Sequence, residues 1–64
     1  MIRVNGKEHD ICPVSVVGLL EQLHLEPRGI AVARNGEIVR RSEWSSTILQ
    51  NGDAIEVVTA AAGG

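Results

Sequence analysis

Ile30-Ala31-Val32-Ala33-Arg34-Asn35-Gly36-Glu37-Ile38-Val39 decides how this chain folds. Two short apolar runs flank Asn35-Gly36, the dipeptide that most readily accepts positive φ at both central positions of a two-residue turn, so the stretch predicts a β-hairpin. The same signal stands at the N-terminus. Met1 to Asn5 alternates apolar and polar residues, Asn5-Gly6 supplies the turn, and Glu8 to Cys12 is the expected return strand. Pro13 cannot donate a ladder hydrogen bond and ends that strand, and Ser15 is the expected N-cap of a helix. Val16, Leu19, Leu20 and Leu23 then recur at helical spacing, with Glu21, Gln22 and His24 on the other side. Gly18 lowers helix propensity by about 1 kcal/mol relative to Ala, which implies close packing against a strand or a helix that leans on tertiary support. Arg41 to Leu49 neither alternates nor follows a helical period, and reads as a loop or a short helical turn anchored by Trp44 and Ile48-Leu49. After a turn at Asn51-Gly52-Asp53, Ala54 to Thr59 alternates again.

The resulting order is strand, strand, helix, strand, strand, strand. One main helix on one face of a mixed sheet of four to five strands is an α+β domain, and two hairpins around a central helix with a closing strand make the β-grasp arrangement. Residues 1–59 are the expected globular domain, and residues 60–64 a flexible tail. If Val32, Ile55 and Val57 face the helix, alternation places Ala31, Ala33, Val58 and Ala60 on the open face, a shallow apolar patch suited to docking a partner.

Composition closes off several classes of function. A chain of 64 residues has little room for an elaborate catalytic cavity, since a domain of this size buries only about 60% of its unfolded surface. Hydrophobic residues make up 44% and charged residues 22%, an ordinary globular balance, with Trp44 the one aromatic. The net charge is −2, with Arg28, Arg34, Arg40 and Arg41 offset by acids spread along the chain, so a basic footprint for nucleic acid is missing. No apolar run approaches the roughly 20 residues of a membrane span, and a lone cysteine, Cys12, fits a reducing cytoplasm. Cys12 reads as a small buried hydrophobe. His9 and His24 have no partner at metal-ligand spacing, so no metal is expected. Asp10, Glu21 and Glu26 form no visible carboxylate pair, and neither a Ser-His-Asp set nor a phosphate-binding loop is present.

What remains is the end of the chain, Ala60-Ala61-Ala62-Gly63-Gly64. Without a Cβ, Gly63 and Gly64 fit a channel too narrow for other residues, and Ala61 and Ala62 add little bulk behind them. The terminal carboxylate, with a reference pKa of about 3.3–3.7, is ionised at neutral pH and can attack an activated phosphate. Five residues reach about 17 Å at roughly 3.3–3.6 Å each, enough to enter a neighbour's active site while the domain stays outside. The bland alternative is a frayed terminus.

The segments Ala31 to Val39, Arg41-Ser42-Glu43-Trp44 and Leu49 to Val58, closed by Gly63-Gly64, resemble the ThiS family of sulfur carriers over essentially the whole chain. The resemblance implies a ubiquitin-like fold and a protein cosubstrate rather than an enzyme. It implies that Gly64 is the covalent site, adenylated and then converted to a thiocarboxylate that donates sulfur to the thiazole ring of thiamine. It also implies the partners: a ubiquitin-activating-like adenylyltransferase of the ThiF type that uses ATP and Mg, a sulfurtransferase or cysteine desulfurase, and a thiazole synthase of the ThiG type. No cofactor is expected on the carrier itself. The family's usual Val-Pro before Arg-Ser-Glu-Trp is Val39-Arg40 here, which implies a less rigid loop. Two rivals share features of the chain. The small subunit of molybdopterin synthase has the same fold and Gly-Gly end but is usually longer. The TGS domain, a regulatory or RNA-contacting module of larger proteins, resembles Gly52 to Thr59; a mildly acidic chain, complete at this length and ending in Gly-Gly, favours the carrier.

Overall fold

The structure, a computed structural model, describes residues 1–11 and 13–59. Strands β1 (Ile2–Val4) and β2 (Lys7–His9) form the first hairpin, and β4 (Ile30–Arg34) and β5 (Glu37–Val39) the second. Between them lie a two-residue strand β3 (Val14–Ser15) and the helix α1 (Val16–Gln22); after them come a 3₁₀ turn (Arg41–Glu43), a short strand β6 (Ile48–Leu49) and the last strand β7 (Ala54–Thr59). Both hairpins turn on Asn-Gly with positive φ at each residue, 52° and 82° at Asn5-Gly6 and 51° and 88° at Asn35-Gly36. These are the dihedrals of a type I′ turn, whose twist matches that of the flanking strands. The main sheet runs β2-β1-β7-β4-β5, with β7 central, parallel to β1 and antiparallel to β4.

The expected element order holds, with two differences. The first return strand spans Lys7–His9 rather than Glu8 to Cys12, because Ile11 N–H bonds back to the His9 carbonyl at 3.0 Å and turns the chain away from β1. The segment expected as a loop or short helical turn contains its 3₁₀ turn but also β6, which pairs with β3 through Val14↔Leu49 and Ser15↔Ile48. Two residues are too few for an alternation to show in the sequence.

One face of the sheet carries the core. Ile2 and Val4 of β1, Val32 of β4 and Ile55 of β7 meet Val16, Leu19 and Leu20 of the helix, and Ile11, Trp44 and Leu49 close the sides. Each such aliphatic side chain contributes about 1.5–3 kcal/mol on full burial, which is how seven helical residues hold together where an isolated helix of that length would not. The helix ends are satisfied locally. Ser15 Oγ accepts from Gly18 N–H at 3.0 Å. At the other end Leu25 N–H bonds to Leu20 O at 2.9 Å and His24 N–H to Glu21 O at 3.1 Å, a Schellman closure with His24 at φ 57°, where glycine is usual.

Trp44 anchors its loop as expected: its indole Nε1–H donates to the Val39 carbonyl at 3.0 Å, its ring is buried, and the Arg41 guanidinium lies 4.5 Å over it. Arg40 sits at φ −64° and ψ 143°, within the range a proline ring would impose. The backbone path at Arg40 is therefore one that the proline expected there from the resemblance would also take.

Asp53 is the buried charged residue of the described chain, 8% exposed. Its carboxylate accepts from Gln50 N–H at 2.8 Å, Arg34 Nε–H at 3.0 Å and Asn35 Nδ2–H at 3.1 Å, so it ties the entry of β7 to the second hairpin. Burial pushes its carboxyl up, but the three hydrogen bonds and the Arg34 charge outweigh this and hold it below its ordinary 3.8.

A Cβ on Gly18 would lie 2.5 Å from Val14 Cγ2, on a stiff β-branched side chain. Gly18→Ala is therefore expected to destabilise the fold by about 1–2 kcal/mol despite the gain in helix propensity. Denaturant unfolding would check this, and adding Val14→Ala should return part of the loss; a stabilised single variant would contradict the packing. Asp53→Asn is expected to cost about 2 kcal/mol at pH 7, because hydrogen bonds to a charged acceptor are lost. Since the folded carboxyl titrates below its unfolded value, its contribution is complete above pH 3.8 and disappears as pH falls through the folded value. The stability difference between the two proteins should therefore narrow below pH 3.8 and stay constant between neutrality and pH 5.

Candidate functional site

The strand that leads toward the C-terminus is paired along both flanks. On one flank Arg3 and Val4 pair with Ala54 and Ile55; on the other, every residue from Ile30 to Arg34 pairs with Thr59 to Ile55 in turn. The two Asn-Gly turns add further bonds. Asn35 N–H donates to the Ala54 carbonyl at 2.7 Å while its Oδ1 accepts from Ala54 N–H at 2.9 Å. On the opposite flank Asn5 N–H donates to the Ile55 carbonyl at 2.8 Å, its Oδ1 accepts from Val57 N–H at 2.8 Å, and its Nδ2–H donates to the Val57 carbonyl at 3.2 Å. The asparagines tolerate the left-handed backbone that the turns require, and that conformation turns their amides toward β7.

Gly64, Gly63, Ala62, Ala61 and Ala60 lie outside the described residues, as does Cys12. The last described residue is Thr59, at the end of the central strand and paired with Ile30. A shallow cleft of about 440 Å³ opens beside it, with Leu25, Ile30 and Val57 as apolar lining and Arg28 and Glu26 at its rim.

Of the residues expected to dock a partner, Ala31, Ala33 and Val58 share the face of the sheet opposite the core, and Ala60 lies outside the described residues. Val58 is 56% exposed and lies opposite the half-buried Ala31, while Ala33 lies between Glu56 and Ile38. Ile38, 70% exposed, is the largest apolar side chain in this patch and was missed by the sequence reading. The signal was present: a two-residue Asn35-Gly36 loop makes Arg34 face Glu37, which sets Ala33 opposite Ile38 and sends Val39 to the core side with Val32. Toward the β2 edge the face becomes charged, with Arg3 and Glu8 paired at 2.9 Å.

A second shallow cleft, about 330 Å³, lies near Met1, Arg3 and Gly52 at the start of β7, away from Thr59. The Asp53 carboxylate at its edge is committed to its three donors. Among the described residues no three His, Cys, Asp or Glu side chains gather as metal ligands, and no helix is long and apolar enough to cross a membrane.

Comparison with known proteins agrees with this geometry. Residues 2–64 match the model of the ThiS family. The sulfur carrier protein ThiS of Escherichia coli is 46% identical over 46 residues, covering 72% of this chain and 70% of its own. Two thiazole synthases, from Paramagnetospirillum magneticum and Magnetococcus marinus, are 36% and 38% identical over 95% and 98% of this chain, which spans only 19% and 20% of their length. The crystal structure of a ThiS protein of thiamine biosynthesis from Geobacter metallireducens superposes with a TM-score of 0.82 at 30% identity, covering 98% of this chain and 97% of that one. A solution structure of a thiamine biosynthesis protein from the same organism gives 0.75 at 30% identity, covering 98% and 86%. The five-stranded mixed sheet, its single helix and a match that runs through the final glycine together show that the chain belongs to the ThiS family, the family of the Escherichia coli sulfur carrier.

Proposed function

We propose that this protein carries sulfur for thiamine biosynthesis on its C-terminal Gly64, as a cosubstrate of partner enzymes. The observation that carries the reading is the family match over residues 2–64, which includes Gly63-Gly64. The domain, residues 1–59, supplies recognition, and residues 60–64 supply reach. A carboxylate is a poor electrophile at neutral pH, so it must first be activated. A Gly64 carboxylate oxygen attacks the α-phosphorus of ATP, the bond to the β-phosphate breaks, and pyrophosphate leaves with the electron pair. Mg-ATP and the groups that stabilise this step belong to an adenylyltransferase of the ThiF type. The terminal sulfur of a cysteine persulfide, held by a sulfurtransferase or cysteine desulfurase, then attacks the acyl carbon and AMP departs. A thiol reduces the resulting S–S bond, leaving a thiocarboxylate on Gly64 and a disulfide on the donor side.

The thiocarboxylate sulfur is a soft nucleophile, suited to attack on an electrophilic carbon during closure of the thiazole ring. A thiazole synthase of the ThiG type is the receiving partner in this reading, supported by the thiazole synthases that contain a stretch similar to this chain. Ala31, Ala33, Ile38 and Val58 form the proposed docking face on the side of the sheet away from the helix, and Ala60 joins the proposal from the alternation of the sequence alone.

The test is pyrophosphate exchange into ATP by the activating partner, since formation of an acyl adenylate is reversible. Exchange should depend on this protein and on Mg-ATP. One alanine appended after Gly64 moves the carboxylate by roughly 3.5 Å, and because misplacement of about 1 Å can cost on the order of 100-fold in rate, exchange should fall at least that far. Undiminished exchange with the extended chain would remove the terminal glycine from the mechanism and favour a TGS-like binding module, whose contacts come from the sheet and loops.

A further inference from the structure

We infer that Asn5 is a positioning residue for the carrier terminus, its side-chain amide serving as the last grip on the β1 flank of β7 before the chain continues toward Gly64. This rests on the carrier reading above. Strand β1 ends at Val4, which pairs with Ile55, whereas β4 accompanies β7 as far as Thr59. From Val57 onward the β1 flank of β7 would therefore have no ladder partner. Asn5 fills the gap by accepting from Val57 N–H at 2.8 Å and donating to the Val57 carbonyl at 3.2 Å. A side-chain amide presents the same donor and acceptor pair as a peptide unit, so Asn5 acts as one residue of an additional strand and satisfies two main-chain groups at once. Along a strand the next groups pointing to that flank belong to Thr59, where the described strand ends.

Without this amide the final residues of β7 would be held on the β4 side alone, and the origin of the tail would swing about that single seam. The hydrogen bonds of Asn5 go to Ile55 and Val57 and not to the residues of the docking face, so binding of a partner should survive. Delivery of the carboxylate to the reacting phosphate, which depends on where the tail starts, should not. Asn35 provides an internal comparison. It makes an equivalent left-handed turn and grips the same strand, but at Ala54, the end remote from the tail.

Asn5→Gly isolates the grip from the turn, because glycine accepts the positive φ without an amide to offer. In pyrophosphate exchange with the activating enzyme, Mg-ATP and labelled pyrophosphate, Asn5→Gly should lower kcat by roughly 5- to 50-fold, within the range that small displacements of a reacting group produce. The KM for the carrier should stay within about twofold, as expected when ground-state docking is retained. Asn5→Asp keeps the acceptor for Val57 N–H and should recover part of kcat. Amide hydrogen exchange should show faster exchange at Val57 in Asn5→Gly and an unchanged Val57 in Asn35→Gly. A kcat for Asn5→Gly equal to that of the unaltered chain, or a loss that Asn35→Gly matches, would overturn the assignment, as would a protected Val57 amide in Asn5→Gly. Absence of exchange with the unaltered chain would instead refute the carrier reading itself.

Discussion

The hydrogen bonding of β7 is the constraint on which the rest of the structure depends. It is the central strand, paired along both flanks, and it links the globular domain to the C-terminal residues. Its two neighbours, β1 and β4, come from the start and the middle of the sequence, and each ends at an Asn-Gly turn whose asparagine reaches across to β7. Asp53, just before the strand, ties Gln50, Arg34 and Asn35 together with one carboxylate. A buried charge left unpaired would be costly, so its three donors make the geometry of this corner hard to vary. A domain this small cannot stiffen its exit strand with a large core, and it does so with directional bonds instead.

Much of this was legible in the sequence because it is written in local signals. Asn5-Gly6 and Asn35-Gly36 name their turn type, the 16-19-20-23 spacing names a helix, and alternation from Ala54 names the last strand and its buried face. Gly18 signalled either close packing against a strand or a helix leaning on tertiary support, and a Cβ there would meet Val14 of β3. The short pairing of β3 with β6 was not legible, since two residues carry no period and their partners are far apart in sequence. Neither was the reach of Asn5 to Val57 across 52 positions of sequence. A turn asparagine looks the same whether or not its amide has a second use, and only the sheet order brings the two together. Ile38 falls between these cases: its place on the open face follows from the hairpin register, once that register is carried one residue past the turn.

The functional reading divides labour between two parts of one short chain. The open face, with Ile38 and Val58 exposed around Ala31 and Ala33, offers area without side-chain chemistry, while the terminal glycines offer chemistry without bulk. No set of described side chains competes with the terminus as a reactive centre. In the proposed function, acid–base groups and metal-bound nucleotide would come from the partner, and the carrier would contribute an acyl group at the end of a docked domain. Pre-paid orientation of this kind is worth several kcal/mol when reacting atoms are held in line, and the proposed function would give the two-sided hydrogen bonding of β7 a role in the chemistry as well as in the fold.

Intact mass spectrometry of the protein after incubation with its activating partner, Mg-ATP and a persulfide sulfur donor tests the central claim most directly. The account predicts a mass gain equal to the replacement of one oxygen by one sulfur, localised by fragmentation to Gly64 and dependent on ATP. An unchanged mass, or sulfur found on Cys12 with Gly64 unmodified, would contradict it.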